Sequence, residues 1–279
     1  MGVRKNQARL TAAERAAFVR ALKVLKAEGI YDMHVSHHRT AVLSMDPDPA
    51  HIGPAFFPWH RECLRRFELD LQKVDPTVTI PYWDFVADGS PSSSIWADDF
   101  MGGNGRALDS QVMTGPFAYS TGEWTLTVND NRRTPPYLRR AFGVRVSTLP
   151  TGTQVNGALR RVTYDAAPWN ATVTGSYFRP FCEKSLHNRV HNWVGGTMLQ
   201  GSSPNDPVFW MLHCFMDRLW ARWRRRYPDS PYLPSSGGPV GHNLNDPMWP
   251  WAAEPDPPTP AKVLDHRQLG YTYDDEASW

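Results

Sequence analysis

The most informative stretch of this chain for its fold is Ser185-Leu186-His187-Asn188-Arg189-Val190-His191-Asn192-Trp193-Val194. It carries two histidines four residues apart. On a helix, this spacing places both rings on one face, one turn apart, where they can bind the same ion. Gly195 and Gly196 follow directly and predict the end of this helix. The apolar neighbours of the two histidines disfavour a solvated surface pair.

A longer helix further along the chain offers a third histidine. Asp206 and Pro207 predict its start, because an acidic cap followed by proline in the first turn is favoured there, and the helix runs to about Arg226. His213 lies inside this helix and is the candidate for the third ligand. Asp217 lies four residues further on the same face, where it is expected to accept the outer N–H of a ligand ring.

The first quarter of the chain carries a second set of histidines on two predicted helices and one loop. A capping box at Thr11 and Glu14 starts an initial helix that ends near Gly29. The next helices run from about Tyr31 to Ser44 and from just after Pro58 to about Val74, with a Pro-rich loop between them. The histidines of this region are His34, His37, His38, His51 and His60.

Spacing alone leaves the ligands of this second set open. His34 and His38 are again four residues apart, which favours them as a pair on one helix face. His60 lies at a helix entry, where its ring can point inward. His51 lies on the loop and has the least support from the pattern.

The remaining segments add loops rather than a further domain. From Thr77 to Pro168 the pattern is irregular, with short strand-like pieces such as Trp124–Val128 between turn residues. The Pro-rich tail is expected to wrap the surface, and its His242 and His266 are expected to have surface or packing roles. We therefore predict a single domain over residues 1–279.

The composition argues against several classes of function. A net charge of +2 is too small to indicate nucleic acid or a membrane surface as a partner. No apolar run reaches the roughly 18 residues of a membrane span. Three cysteines without a C-x-x-C pair argue against a disulfide framework or a zinc ribbon. The first residues lack an apolar h-region, so no classical signal peptide is expected.

Two groups of three imidazoles indicate a pair of nitrogen-ligated metals. Helix bundles build such sites in their cores from side chains on facing helices. The near absence of interleaved carboxylates disfavours a di-iron site, and copper has the highest affinity for nitrogen ligands in the divalent series. A pair of copper(I) ions can give two electrons to dioxygen. We therefore predict a mainly α fold, an antiparallel four-helix bundle that holds a dinuclear copper site, with long irregular loops and a few short β-strands.

The chain resembles the type-3 copper proteins, and specifically the tyrosinase family of Streptomyces type. The matching motifs are Phe57-Pro58-Trp59-His60-Arg61, Pro81-Tyr82-Trp83-Asp84, Leu186-His187-Asn188-Arg189-Val190-His191 and Ser203-Pro204-Asn205-Asp206-Pro207-Val208-Phe209-Trp210. Shorter matches near both ends extend the resemblance over nearly the whole chain. It implies that two copper ions are the cofactors, that dioxygen is the co-substrate and that the products are quinones.

The resemblance also implies which residues form the site. The first copper would be held by His38, His51 and His60, and the second by His187, His191 and His213. His34 and His37 are then not ligands. Phe209 would restrain a ligand ring of the second copper, and Asn188 would take part in deprotonating the substrate.

The chain departs from the family pattern beside the second copper. The family has two adjacent histidines where this chain has Leu212-His213. It also has a Glu about eight residues before the first ligand of the second copper, which helps to hold a water that deprotonates a monophenol. Here Arg179 stands at that distance, and Glu183 lies only four residues before His187. Asn188 and Glu183 are our candidate catalytic residues.

These departures predict an oxidase of substrates that are already activated. We expect oxidation of o-aminophenols or o-diphenols to quinone imines or o-quinones, with monophenol hydroxylation weak or absent. The candidate substrate pocket contains Asn192, Phe209 and Ser203. The alternative enzyme is a true tyrosinase. A haemocyanin-like dioxygen carrier is the alternative of another class, although carriers bury the copper pair beneath an extra domain for which this chain is too short.

The resemblance also implies partners. One is a small phenolic or aminophenolic substrate. The other is a small caddie protein that delivers copper and, through its own signal, can carry the enzyme out of the cell. The expected location is therefore cytoplasmic, or secreted only together with a caddie partner that bears a signal.

Overall fold

Helices form the frame of the chain in the computed structural model, which describes residues 1–130, 134–172 and 175–279. In chain order they are α1 (Ala12–Ala27), α2 (Ile30–Ser44), α3 (Phe56–Val74), α4 (Gly152–Leu159), α5 (Phe178–Phe181), α6 (Asn188–Val194) and α7 (Val208–Arg226). Two strands, β1 (Gly2–Arg4) and β2 (Tyr271–Tyr273), lie near the chain ends. Within the described ranges, none of the helices combines the length and the apolar character needed to cross a membrane.

The first helix begins where its capping box predicts. Thr11 Oγ1 accepts the N–H of Glu14 at 3.2 Å, and the Glu14 carboxylate accepts the N–H of Thr11 at 2.8 Å. These bonds satisfy N–H groups that the first turn leaves without helical partners. Gly29 separates α1 from α2 with a φ of 76°, a left-handed conformation that favours glycine.

The helical segment that bears the quoted histidine pair begins earlier than predicted. It starts at Phe178 rather than near Ser185, and its residues Cys182–His187 are π-helical between α5 and α6. Arg179 and Glu183 pair across one turn of this segment at 2.8 Å. The pair stabilises a turn that periodicity did not reveal. Turns of π type are frequent at functional sites.

The strands are few, as predicted, but they do not lie where predicted. β1 pairs in parallel with β2, with Gly2 opposite Tyr271. The prediction of a strand over Trp124–Val128 is wrong, because this stretch carries no strand. The N–H of Leu126 donates to the Pro136 carbonyl at 2.9 Å. Proline has no N–H to return that bond, so a ladder cannot continue there.

The helices pack through a core rich in aromatic rings. Phe67 of α3 stacks on Trp210 of α7 with ring centroids 3.7 Å apart. Phe57 stacks on Phe178 and on Trp220 at 5.3 and 5.4 Å. Such pairs contribute about 0.5–1.5 kcal/mol each beyond the area they bury. The histidine-bearing helices α2, α3, α6 and α7 belong to this bundle, and the predicted mainly α, antiparallel four-helix fold is confirmed.

The C-terminal tail is more deeply buried than predicted. Tyr271 and Tyr273 are 1% and 3% exposed, and their hydroxyls donate to the carboxylate of Asp217 on α7. Arg4 and Arg61 donate to the same carboxylate. The tail therefore does more than wrap the surface, because a buried carboxylate needs hydrogen-bond donors and the tail supplies two of them.

Candidate metal centre

Two groups of histidines come together inside the bundle. The first contains His38, His51 and His60, and the second contains His187, His191 and His213. In each group, the potential ligand nitrogens all lie within 4.8 Å of one another. These are the two groups that the resemblance implies.

The first group draws on two helices and a loop. His38 comes from α2, His60 from the first turns of α3, and His51 from the loop between these helices. The ring centroids of His38 and His51 are 4.9 Å apart, and those of His51 and His60 are 5.0 Å apart. His38 and His60 are buried, whereas His51 is half-buried.

The second group is built on the quoted stretch and on α7. His187 and His191 have ring centroids 4.3 Å apart, as their spacing predicts. His213 enters from α7, with its ring 4.7 Å from that of His187. It also stacks on His60 of the first group at 4.1 Å, with 13° between the planes. The two groups are therefore adjacent.

Oxygen atoms of the chain orient most of these rings. His38, His60 and His191 each donate Nδ1–H to a backbone carbonyl, of Gly201, Phe56 and Met198 respectively, at 2.6–2.7 Å. His187 Nδ1 lies 2.8 Å from Asn188 Oδ1, and His51 Nδ1 lies 3.1 Å from Asp48 Oδ2. A ring that donates through Nδ1 presents the lone pair of Nε2 to the centre of its group, as a metal ligand does.

The buried nitrogens of these rings fit a bound metal. Nε2 of His38, His60 and His191 has no hydrogen-bond partner among the described residues, although unpaired buried polar atoms are costly. His187 Nε2 and His213 Nε2 face each other at 3.1 Å, as two ligands of one cation do. The donor set contains only imidazole, which suits copper.

Burial keeps these imidazoles neutral. It lowers the pKa of His38, His60, His187 and His213 well below its usual value and that of His191 to about 4. Only neutral imidazole has a lone pair for a metal, so these five rings are in ligating form at neutral pH.

Two histidines in the first quarter of the chain, His34 and His37, lie apart from both groups. His34 lies on α2 but its Nε2 bonds to Asp70 Oδ2 of α3 at 2.8 Å. The ring of His37 lies edge-on to Trp249 at 6.1 Å. Neither histidine belongs to the two groups. The i, i+4 spacing of His34 and His38 is therefore misleading, because an acid on the neighbouring helix draws His34 away.

Asp217 does not orient a ligand ring, and this sequence-based expectation is wrong. Its carboxylate accepts from Arg61 Nε at 2.5 Å, from Arg4 Nη1 at 3.3 Å and from two tyrosine hydroxyls. His213 Nδ1 has no partner among the described residues. Two buried guanidinium groups bind the carboxylate instead, because a charged donor forms a stronger hydrogen bond than a neutral imidazole does.

The candidate catalytic residues lie in different surroundings. Asn188 is exposed, and its Oδ1 accepts from His187. Glu183 is 3% exposed, with Oε1 accepting the N–H of Ile52 at 2.5 Å and Oε2 accepting from Arg179 Nη1 at 2.8 Å. The Glu183 carboxylate therefore contacts the loop of the first group, next to His51, and does not contact Asn188.

The three candidate pocket residues also differ in placement. The ring of Phe209 lies 4.1 Å from that of His213 and 4.9 Å from that of His38, between the two groups. Asn192 is half-buried and donates Nδ2–H to the Asn188 carbonyl at 2.8 Å. Ser203 is 1% exposed, within a short 3-10 turn. Their roles toward a substrate stay predictions.

Two residues near the first group escaped the sequence patterns. Asp48 accepts the N–H of His51 at 3.0 Å, a contact that an acid three residues before a loop histidine could have indicated. His242 is 1% exposed and bonds to the same loop through both ring nitrogens. It lies far along the chain in a tail without periodicity, so nothing local marks it.

Comparisons with known proteins agree with this centre. The common central domain of tyrosinase matches residues 28–226. A tyrosinase of Streptomyces antibioticus is 51% identical over 98% of this chain and 100% of its own length. Grixazone synthase of Streptomyces griseus is 41% identical over 98% of this chain and 99% of its own length.

Solved structures of lower identity share the fold. A polyphenol oxidase of Thermothelomyces thermophila superposes with a TM-score of 0.64 at 24% identity, covering 84% of this chain and 73% of that chain. A functional unit of octopus haemocyanin gives 0.62 at 22% identity, covering 98% of this chain and 68% of that chain. With 51% identity to a tyrosinase over nearly its whole length, the chain belongs to the tyrosinase family of type-3 copper oxidases.

Proposed function

We propose that this enzyme oxidises o-aminophenols or o-diphenols with dioxygen, and that it hydroxylates monophenols weakly or not at all. The observation that carries the proposal is that both carboxylate oxygens of Glu183 already accept hydrogen bonds within the chain. One accepts from the N–H of Ile52 and the other from Arg179. In the family pattern, a Glu helps to hold a water that deprotonates a monophenol. An o-aminophenol or a catechol needs no ortho-hydroxylation, so an enzyme without that water still oxidises it.

The proposed copper ligands are the two groups of three histidines. His38, His51 and His60 would hold one ion, and His187, His191 and His213 the other. When bound, the copper pair supplies two-electron chemistry toward dioxygen. The chain contributes rings that are fixed by their Nδ1 hydrogen bonds and kept neutral by burial.

Asn188 is the residue we propose to handle the substrate proton. Its side chain is exposed, whereas the adjacent His187 is buried, so Asn188 marks the open side of the second group. Its Oδ1 also orients His187. Asn192 holds the Asn188 carbonyl. We propose that Phe209, which packs on rings of both groups, forms the floor of the pocket, with Asn192 and Ser203 on its sides.

A true tyrosinase is the second candidate. Its support is the higher identity to a protein named tyrosinase, 51%, than to grixazone synthase, 41%, each over 98% of this chain. The relatives at these identities carry enzyme names, which leaves the dioxygen carrier without support.

Oxygen uptake by the copper-loaded protein separates the two candidates. Tyrosine, a catechol and an o-aminophenol are compared at equal concentration. We expect rapid uptake with the catechol or the o-aminophenol and little with tyrosine. Comparable uptake with tyrosine would make the enzyme a tyrosinase and would show that the occupied Glu183 does not prevent hydroxylation.

Two neighbouring histidines on α2 provide a matched test of the ligand assignment. His38→Gln removes a proposed ligand and should leave about one copper per chain, with oxygen uptake lost. His37→Gln changes the adjacent ring, which lies outside both groups, and should keep two coppers. Copper is measured by elemental analysis after gel filtration.

We also propose that a small caddie protein loads the copper. Four of the six ligand rings are buried, so an ion must pass the surrounding side chains to reach them. Expression of the chain alone should give mostly copper-free protein, and co-expression with such a partner should give two coppers per chain. Full occupancy from the chain alone would refute this part of the proposal.

A further inference from the structure

His51 is the ligand that no helix positions. It lies on the loop between α2 and α3, whereas the other proposed ligands are held by helical segments. A metal site tolerates little variation in the position of its ligands, so a ligand on a loop needs supporting contacts from elsewhere. The loop over residues 48–55 receives such contacts from the C-terminal tail.

His242 of the tail bonds to both ends of this loop. The N–H of Ala55 donates to His242 Nδ1 at 3.1 Å, and His242 Nε2–H donates to the carbonyl of Asp48 at 3.0 Å. A backbone N–H only donates and a carbonyl only accepts, so the two bonds together define one neutral tautomer. Burial lowers the pKa of His242 to about 4, and the ring is neutral at pH 7.

The ring also lies in close contact with the middle of the loop. A Cβ atom added at Gly53 would lie 2.5 Å from His242 Cε1, so the absence of a side chain at this position permits the approach. On the tail side, the hydroxyl of Tyr232 donates to the His242 carbonyl at 2.8 Å. The tail therefore holds the backbone of His242, while the His242 ring contacts the loop.

Asp48 links this contact to His51. His242 holds the Asp48 carbonyl, and the Asp48 carboxylate bonds to the same loop's ligand: Oδ1 accepts the N–H of His51 at 3.0 Å, and Oδ2 lies 3.1 Å from His51 Nδ1. A His51 ring that donates Nδ1–H to Asp48 presents Nε2 to the first group.

We propose that His242 is a positioning residue of the first copper site, which clamps loop 48–55 at both ends and sets the position of His51 through Asp48. The inference rests on the proposed copper assignment. Replacing outer partners of metal ligands typically costs about 10- to 100-fold in metal affinity. We expect a loss in this range at the first site and none at the second.

Single-site variants isolate the effect. His187→Gln leaves only the first site intact, and His38→Gln leaves only the second. The copper(I) affinity of each is measured by competition with a chromophoric chelator, with and without His242→Ala. We expect at least a 10-fold loss in the His187→Gln protein and no change in the His38→Gln protein. An unchanged affinity in the former, or an equal loss in both, would overturn the proposal.

Conservative variants separate positioning from packing. His242→Asn keeps an acceptor near Nδ1 for Ala55, and His242→Gln keeps a donor near Nε2 for Asp48, so each should recover part of the first-site affinity. They also replace His242→Ala if that variant does not fold. If His242 acted through packing alone, neither variant would recover the affinity. A lack of recovery would therefore count against the proposed positioning role of His242.

His266→Ala is the control. This second buried tail histidine bonds to Glu276 at 3.1 Å, and its loss should leave both affinities unchanged. A loss at the first site equal to that of His242→Ala would overturn the proposal. The proposed function fails separately, if the wild-type chain binds two coppers and oxidises none of the three substrates. The affinity comparison still decides the role of His242 in that case.

Discussion

Glu183 accepts the backbone N–H of Ile52 at 2.5 Å, immediately after the proposed ligand His51. Ile52 has a φ of 60°, a left-handed conformation that β-branched residues rarely adopt. Such a conformation costs about 1–3 kcal/mol and persists only when its surroundings enforce it. The bond from Glu183 is one such constraint, and it connects the segment of the second group to the loop of the first.

Glu183 variants test this constraint. Glu183→Ala should lower the free energy of unfolding by about 3 kcal/mol, because buried Arg179 loses one of its two carboxylate partners. Glu183→Gln keeps an acceptor for Ile52 without the charge and should cost about 2 kcal/mol. Urea denaturation followed by circular dichroism measures both. If both variants lowered the free energy of unfolding by the same amount, the hydrogen bond to Ile52 would contribute nothing to stability.

Asp217→Asn tests the carboxylate that joins both chain ends to α3 and α7. Arg4 and Arg61 are fully buried and would lose their shared negative partner, so we expect a loss of about 3–5 kcal/mol. The matched control is Asp256→Asn, whose side chain is 89% exposed and pairs with Lys262 at the surface, and it should change little. Denaturant midpoints from tryptophan fluorescence compare them. Similar midpoints for the two variants would contradict the importance of the buried network.

Acid should destabilise the copper-free protein before its carboxylates titrate. Burial lowers the pKa of His191 and of His242 to about 4. In the unfolded chain these rings bind protons below about 6.5. Between pH 6.5 and pH 4 the unfolded state binds more protons than the folded state. The stabilisation is therefore fully present above pH 6.5, and the free energy of unfolding falls toward pH 4, by up to about 1.4 kcal/mol per ring and pH unit.

Chemical denaturation of the copper-free protein at several values between pH 7.5 and 4.5 measures this slope. His242→Gln removes one of the titrating rings, and its stability should depend less steeply on pH. A stability that is independent of pH across this window would show that the buried histidines titrate as they do in the unfolded chain.

Removal of copper should leave the fold intact. Five of the six proposed ligand rings are held at Nδ1 by oxygen atoms of the chain itself, and the bundle has its own aromatic core. We expect chelation to lower Tm, since copper binds the native state, without loss of the helical circular dichroism signal. Restoration of Tm on adding copper is the control. Unfolding on chelation, as in zinc fingers, would contradict a preformed site.

Local signals predicted most of the helices, but α4 lies in the stretch that was expected to be irregular, although a capping box of Thr151 and Gln154 starts it. The capping box at Thr11, the i, i+4 pair in the quoted stretch and the apolar periodicity of α3 depend only on residues within a turn or two of one another. The start at Phe178 escaped prediction, because an ion pair within a π-helical turn leaves no apolar period. The resemblance to a family, rather than any pattern, indicated the loop ligand His51.

Local sequence patterns were enough to predict the histidine-bearing helices and the two sets of imidazoles, since helix period and capping act between near neighbours in the chain. Only the tertiary structure decided that His34 turns to Asp70, that Asp217 serves two arginines and two tyrosines, and that His242 holds the loop of His51. Each of these contacts joins residues on different elements. A periodic pattern defines the face of a helix, but the partner of a buried polar group is chosen by whichever donor or acceptor the packed elements bring within about 3 Å.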